Sequence, residues 1–122
     1  MVRDFTYIDD IAEGVVRVLD RPATVAEGYD PSRPDPATSN VPYRVFNIGN
    51  SDPVTLMDFI QAIERALGVT AEKRFLPLQD GDVPATSADV AELGAWTGFK
   101  PAMPVPEGVA RFVAWYRNYF RI

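Results

Sequence analysis

Residues 43–68 carry the strongest structural pattern of the chain and read YRVFNIGNSDPVTLMDFIQAIERALG. The first six of them, Tyr43–Ile48, are rich in residues that favour β-structure and predict a strand. Apolar side chains occupy both faces of this strand, at Val45, Phe46 and Ile48. Such strands are usually buried on both sides of a larger parallel sheet.

The second half of the stretch predicts an amphipathic helix over residues 56–67. Thr55 and Asp58 have the spacing of a capping box, with aspartate in place of the usual glutamate. Gly68 suits the left-handed position at which helices commonly end. The apolar residues recur at helical spacing along one face: Leu56, Phe59, Ile60, Ile63 and Leu67.

Further elements are predicted on both sides of this unit. A strand over 3–8 precedes a helix that begins at Asp9 or Asp10 and ends before Pro22, with Ile11, Val15, Val18 and Leu19 on one stripe. Residues 22–42 contain five prolines and predict a long loop. The remaining elements are a strand over 74–78, a turn at 80–82, and helices over 88–96 and 106–120.

The predicted order is β-α-loop-β-α-β-α-α, which defines a mixed α/β unit of the α+β type. At 122 residues we expect a single unit over 1–122. The order contains too few strands to surround the doubly apolar strand 43–48. We therefore expect this chain to be a piece of a larger protein.

Composition excludes several classes of function. The chain has no cysteine and no histidine, which excludes disulfides, thiolate chemistry, histidine-based triads and histidine-ligated metals. A net charge of −5 argues against nucleic-acid binding. No apolar run is long enough for a membrane span, and the charged N-terminus does not support secretion, so we expect a cytoplasmic protein with no membrane partner.

Few residues suggest chemistry by themselves. Arg3 lies where it could reach a phosphate, but taken alone it is better explained as a surface arginine whose stem lies on Tyr7. The pair Asp9 and Asp10 suits a helix N-cap better than a metal site. Asp80 and Asp82 belong to a turn that could also bind a hydroxyl or a cation. The chain has no G-x-G-x-x-G, no P-loop and no Tyr-x-x-x-Lys pair.

Four ordered motifs resemble one family. They are RDFTYIDDIAEG (3–14), YRVFNIGN (43–50), QDGDVPATSAD (79–89) with GFKP (98–101), and EGVARFVAWY (107–116). Together they resemble the C-terminal, substrate-binding part of extended short-chain dehydrogenases of the nucleotide-sugar epimerase/dehydratase family. The similarity covers essentially the whole chain and is greatest to the UDP-glucuronate 4-epimerase subgroup.

The resemblance implies a fold, a cofactor and three site residues. In the family, a Rossmann domain holds NAD and a Tyr-x-x-x-Lys pair, and both would lie upstream of this segment. Arg3 matches the arginine that contacts the diphosphate of a UDP-sugar, and Asp82 matches the residue that hydrogen-bonds the ribose. Gln79 stands where UDP-galactose 4-epimerases have a second phosphate-binding arginine. Pro104 departs from the family's serine or threonine and removes a helix cap.

The function that follows is the UDP-sugar-binding portion of an NAD-dependent 4-epimerase, acting on UDP-glucuronate or UDP-galacturonate and inactive by itself. We expect no cofactor and no catalytic residue in this segment. The alternatives are a non-catalytic nucleotide-sugar-binding or oligomerisation module, and a fragment of a 4,6-dehydratase or a decarboxylase. The apolar stripe on the first helix also predicts self-association of the isolated chain.

Overall fold

The computed structural model describes residues 1–122. Four helices and a two-stranded sheet follow one another along the chain: β1 (Val2–Arg3), α1 (Ile8–Asp20), β2 (Val54–Thr55), α2 (Leu56–Leu67), α3 (Ala91–Thr97) and α4 (Val105–Phe120). The expected α+β class is confirmed. Residues 22–42 contain no helix or strand and form turns, with an isolated bridge between Thr38 and Arg44.

Helix α2 follows its local sequence signals closely. Thr55 is the N-cap, and its Oγ1 accepts a hydrogen bond from the Asp58 backbone N–H at 3.1 Å. The same hydroxyl donates to the Asp58 carboxylate at 2.7 Å. Gly68 ends the helix in the left-handed conformation, with φ 74°. The predicted limits of this helix are confirmed. They were predictable because Thr55 and Gly68, which directly flank the helix, cap its two ends.

The core lies between α2 and α4. Its buried residues are Ala62, Val105, Val109 and Val113. The ring of Phe5 stacks on that of Phe59 at a centroid distance of 4.0 Å and closes one side. Helix α4 begins after Pro104, which provides no side-chain cap, as the sequence predicts.

A second contact joins α1 to α3. Leu93 of α3 is completely buried, and Gly14 is the buried residue of α1. A Cβ atom at Gly14 would lie 3.4 Å from Ile48 Cδ1, an ordinary van der Waals distance, so the 43–48 segment packs directly on this side of the helix. The outer side of α1 remains exposed at Ile8, Val15, Val16 and Leu19.

The three predicted strands are wrong as strands. Of residues 3–8, only Arg3 belongs to a ladder, and Ile8 already begins α1. Residues 43–48 form only the bridge at Arg44, and residues 74–78 form none. Their composition suits a pleated surface, but a strand also needs a neighbouring backbone, and apart from Arg3 and Arg44 none of these residues pairs with one. The ladder that does form uses β2, whose two residues show no strand pattern in sequence.

The predicted N-cap of α1 is also wrong. The cap position is Tyr7, and no side chain bonds the free N–H groups there. Asp10 instead accepts hydrogen bonds from the backbone N–H groups of Ala102 and Met103, at 3.0 and 2.9 Å. This long-range contact fixes the segment before α4 to the start of α1.

Candidate functional site

The predicted site residues lie around β1. Val2 pairs with Thr55 and Arg3 with Val54 in an antiparallel ladder. On its other side, Val2 forms a parallel bridge to Ala85. The segment that follows Asp82 therefore lies directly beside the strand that carries Arg3.

Two backbone hydrogen bonds define this parallel contact. The Val2 N–H donates to the Pro84 carbonyl at 2.9 Å, and the Thr86 N–H donates to the Val2 carbonyl at 3.2 Å. The contact between Val2 and residues 84–86 is not predictable from the sequence, because residues 84–86 have no strand pattern of their own. The contact brings two motifs more than 70 residues apart to one edge of the molecule.

Arg3 is half-buried, and its Nη1 donates to the Val2 carbonyl at 2.9 Å. None of the four ion pairs of the chain involves Arg3. The guanidinium charge is thus not neutralised by a carboxylate and retains donors for an anion.

Gln79 and Asp82 share one exposed turn. The Asp82 N–H donates to the Gln79 carbonyl at 3.1 Å, and Gly81 between them has φ 91°. This positive φ requires glycine, which explains the Asp-Gly-Asp sequence. The Asp82 carboxylate forms no ion pair. Three surface cavities, of about 290, 390 and 510 Å³, are lined by other residues than Arg3, Gln79 and Asp82.

Asp4 forms long-range contacts that its sequence position does not predict. Its carboxylate accepts hydrogen bonds from the backbone N–H groups of Ser51 (3.0 Å), Asp52 (3.4 Å) and Ala88 (3.3 Å). Locally it is only an aspartate next to Arg3, in a segment where polar and apolar residues alternate. Its partners lie 47, 48 and 84 residues away and were not visible in the sequence.

Gly49 is essential to this packing. A Cβ atom there would overlap the Cβ of Ala88 and lie 2.9 Å from Asp4 Oδ2. The turn after residue 48 thus passes against the 84–89 segment with no space for a side chain. The neighbouring Asn50 is buried, and its Nδ2 donates to the Met103 carbonyl at 3.2 Å.

The residues present do not fit the pyrophosphate of NAD. Rossmann folds hold that group on a glycine-rich turn between a parallel strand and a helix N-terminus. Here the turn after Gly49 leads to an antiparallel strand and then to α2. The α2 N-terminus is capped by Thr55 and carries the Asp58 carboxylate, which would repel a phosphate.

Two carboxylates distant in sequence from Arg3 and Asp82 have lowered pKa values. The Lys73 ammonium hydrogen-bonds the Glu64 carboxylate and holds the pKa of Glu64 below its ordinary value, and the Ala71 N–H lowers it further. The Ser32 hydroxyl and N–H lower the pKa of Asp30 in the same way.

No group of three or more metal-ligating side chains comes together. None of the helices has the length and apolarity needed to cross a membrane.

Comparisons with known proteins match the whole chain. An uncharacterized 37.6 kDa protein of Escherichia coli O111:H- is 52% identical over 122 residues, which are 100% of this chain and 36% of that protein. A probable UDP-glucuronate 4-epimerase of Rhizobium meliloti is 46% identical over 122 residues, 99% of this chain and 36% of its own length. The chain thus spans about a third of the length of these curated relatives. No protein-family model matches it.

Solved structures agree with the sequence relatives. The UDP-glucuronic acid 4-epimerase of Bacillus cereus, in complex with UDP-glucuronic acid and NAD, superposes with a TM-score of 0.74 at 25% identity. The match covers 97% of this chain and 32% of that one. The fold therefore matches the C-terminal part of Rossmann-type extended short-chain dehydrogenases/reductases. In sequence, the chain is homologous to the C-terminal part of UDP-glucuronate 4-epimerases and related NAD-dependent epimerases.

Proposed function

We propose that this chain is the UDP-sugar-binding portion of an NAD-dependent nucleotide-sugar 4-epimerase of the type that interconverts UDP-glucuronate and UDP-galacturonate. The observation that carries the proposal is the 46% identity to a probable UDP-glucuronate 4-epimerase along 99% of this chain. The pairing of Val2 with Ala85 supports it, because the segments that contain Arg3 and Asp82 are neighbours at this bridge.

Each site residue has a chemical role in this proposal. The Arg3 guanidinium, which has no carboxylate partner, would hold the diphosphate with charged hydrogen bonds. The Asp82 carboxylate would accept hydrogen bonds from the vicinal hydroxyls of the ribose. Gln79, on the same turn, would donate from its amide to a phosphate oxygen without adding a second positive charge.

The chain would bind and orient the nucleotide, and it would leave the hydride chemistry at the sugar to NAD. It has no Tyr-x-x-x-Lys pair and no turn that fits the NAD pyrophosphate. We infer that these belong to the two-thirds of the relatives' length that this chain does not match. Asp82 is exposed and Arg3 is half-buried on neighbouring segments, which would suit one wall of a two-sided cleft.

A non-catalytic interaction module is the second candidate. It is favoured by the exposed apolar face of α1, where Leu19 is 71% and Ile8 67% exposed. A 4,6-dehydratase or decarboxylase of the same family is a further alternative, since the residues described here act on the nucleotide rather than on the sugar. The cytoplasmic location expected from the sequence stays a prediction.

A chimera tests the proposal. The part of the Rhizobium meliloti relative that matches this chain is replaced by the 122 residues, and UDP binding and 4-epimerisation of UDP-glucuronate are measured. We expect saturable UDP binding and turnover. A folded chimera that binds NAD but not UDP would refute the proposal. Binding of UDP without epimerisation would support nucleotide-sugar binding and would show that these residues do not orient the sugar for the relative's catalytic groups.

A further inference from the structure

We propose that Asp4 is a positioning residue for UDP binding. It would hold the segment that follows Asp82 in register with the strand that carries Arg3, without itself touching the ligand. This inference rests on the proposed function, since it concerns the same nucleotide site.

The carboxylate of Asp4 joins three segments that are far apart in sequence. Its Oδ2 accepts from the N–H groups of Ser51 and Ala88, at 3.0 and 3.3 Å, and its Oδ1 accepts from that of Asp52 at 3.4 Å. Asp4 forms no ion pair, so backbone N–H groups are the partners that face its charge. An ionised carboxylate can accept several such bonds at once, whereas asparagine offers one acceptor and two donors.

The contact with Ala88 supplements the ladder. The 84–86 segment is already bonded to Val2 through two backbone hydrogen bonds. The bond from Ala88 to Asp4 adds a second attachment three residues beyond Ala85, on the residue that directly follows Arg3. Two attachments fix both the position and the direction of the segment, and hence of the Gln79–Asp82 turn that leads into it.

Close packing around Asp4 makes this arrangement stiff. A Cβ atom on Gly49 would come within 2.9 Å of Asp4 Oδ2 and would overlap Ala88. Gly49 thus lies directly against both the Asp4 carboxylate and Ala88. Loss of the carboxylate would leave the Ser51 and Ala88 N–H groups without their acceptor and would loosen the segment.

Asp10 provides a matched control. It is also a half-buried aspartate whose carboxylate accepts from two distant backbone N–H groups, those of Ala102 and Met103. Its partners precede α4 and form no hydrogen bond with the Asp82 turn. Replacement of Asp10 thus removes a contact of the same type without loosening the nucleotide site.

The test uses UDP calorimetry on the chimera, together with amide hydrogen exchange on the 122-residue chain. We expect Asp4→Asn to weaken UDP binding about tenfold and to speed exchange at 79–88, whereas Asp10→Asn leaves UDP affinity unchanged. Because Asp82 would no longer be held in place, adding Asp82→Asn to Asp4→Asn should cost little more. Asp4→Asn keeps the shape of the side chain, whereas Asp4→Glu keeps its charge and adds a methylene group to a closely packed site, so we expect Asp4→Glu to bind UDP with intermediate affinity.

The outcomes separate this inference from the proposed function. If the unmodified chimera folds without binding UDP, the proposed function fails and the positioning role fails with it. If it binds UDP and Asp4→Asn binds equally well, only the positioning role is overturned. The role is also overturned if Asp4→Asn and Asp10→Asn weaken UDP binding equally, because the effect would then be general destabilisation.

Discussion

Arg21 and Trp96 exchange hydrogen bonds between their side chains and backbones. The Trp96 indole N–H donates to the Arg21 carbonyl at 2.9 Å, and the Arg21 guanidinium donates to the Trp96 carbonyl. The guanidinium also lies 4.6 Å from the centroid of the indole, and that of Arg44 lies 4.2 Å from it. This pair fastens the end of α1 to α3.

Replacement of Trp96 should separate these contributions. Trp96→Phe keeps a ring for the two guanidinium groups and loses the N–H donor, and we expect it to lower the free energy of unfolding by about 1 kcal/mol. Trp96→Ala loses the ring as well and should cost at least about 1 kcal/mol more. Urea unfolding of both variants measures the difference. Equal losses would show that the ring contacts contribute nothing.

Gly49→Ala should be strongly destabilising because the new methyl group would overlap Ala88. We expect a loss of about 1–3 kcal/mol in the free energy of unfolding, as for other overpacked sites. Gly94→Ala is the control: its nearest neighbour would be the Phe99 carbonyl oxygen at 3.7 Å, and alanine favours the helix. Ala88→Gly should partly rescue Gly49→Ala. No rescue would mean that Asp4, rather than Ala88, causes the clash.

The Glu64–Lys73 pair predicts a pH dependence of stability. Since the hydrogen bond from Lys73 lowers the pKa of Glu64, this contribution is present above the ordinary glutamate pKa of about 4.3 and is lost as the pH falls through the lowered value. Thermal unfolding of the wild type and Glu64→Gln should therefore differ near neutral pH and converge in acid. A difference that stays constant across that range would contradict the assignment.

Arg3→Ala in the chimera should weaken UDP binding about tenfold to a hundredfold, because a charged hydrogen bond of this type contributes about 1.5–3 kcal/mol. Asp82→Asn should cost less, since the amide oxygen can still accept a hydrogen bond. Arg33→Ala, in the 22–42 loop, is the control for a simple loss of positive charge. Calorimetry gives the affinities. Unchanged affinity in a folded Arg3→Ala protein would return Arg3 to a surface role.

The isolated chain should self-associate through α1. Ile8, Val15, Val16 and Leu19 remain exposed on that helix, and soluble proteins normally cover such a face. We expect a dimer or larger species in light scattering at high concentration. Leu19→Lys should shift the distribution towards monomer, whereas Ala110→Lys on the exposed side of α4 should not. A monomeric wild type at all concentrations would rule out this surface as a self-association site.

The helices could be predicted from the sequence, because the apolar spacing that orients a helix lies within the helix itself. Thr55, Asp58 and Gly68 bound α2 through contacts with their own neighbours, and the apolar stripe selects its buried face. The motifs that resemble the epimerase family were equally visible along the chain. The positions of α3 and α4 followed from the same local rules, within a few residues.

Which residues form strands, and how the segments around the site pack, depends on tertiary contacts. The 43–48 segment has a strand's composition but pairs with a neighbouring backbone only at the Arg44 bridge, while Val54–Thr55, which is too short to show a strand pattern, forms the ladder with Val2–Arg3. The carboxylates of Asp4 and Asp10 accept hydrogen bonds from N–H groups 47 to 93 residues away, whereas the local pattern predicts an N-cap for Asp10 and no contact for Asp4. Hydrogen bonds between distant segments depend on which backbones the fold brings together, and residue spacing along the chain carries no record of that.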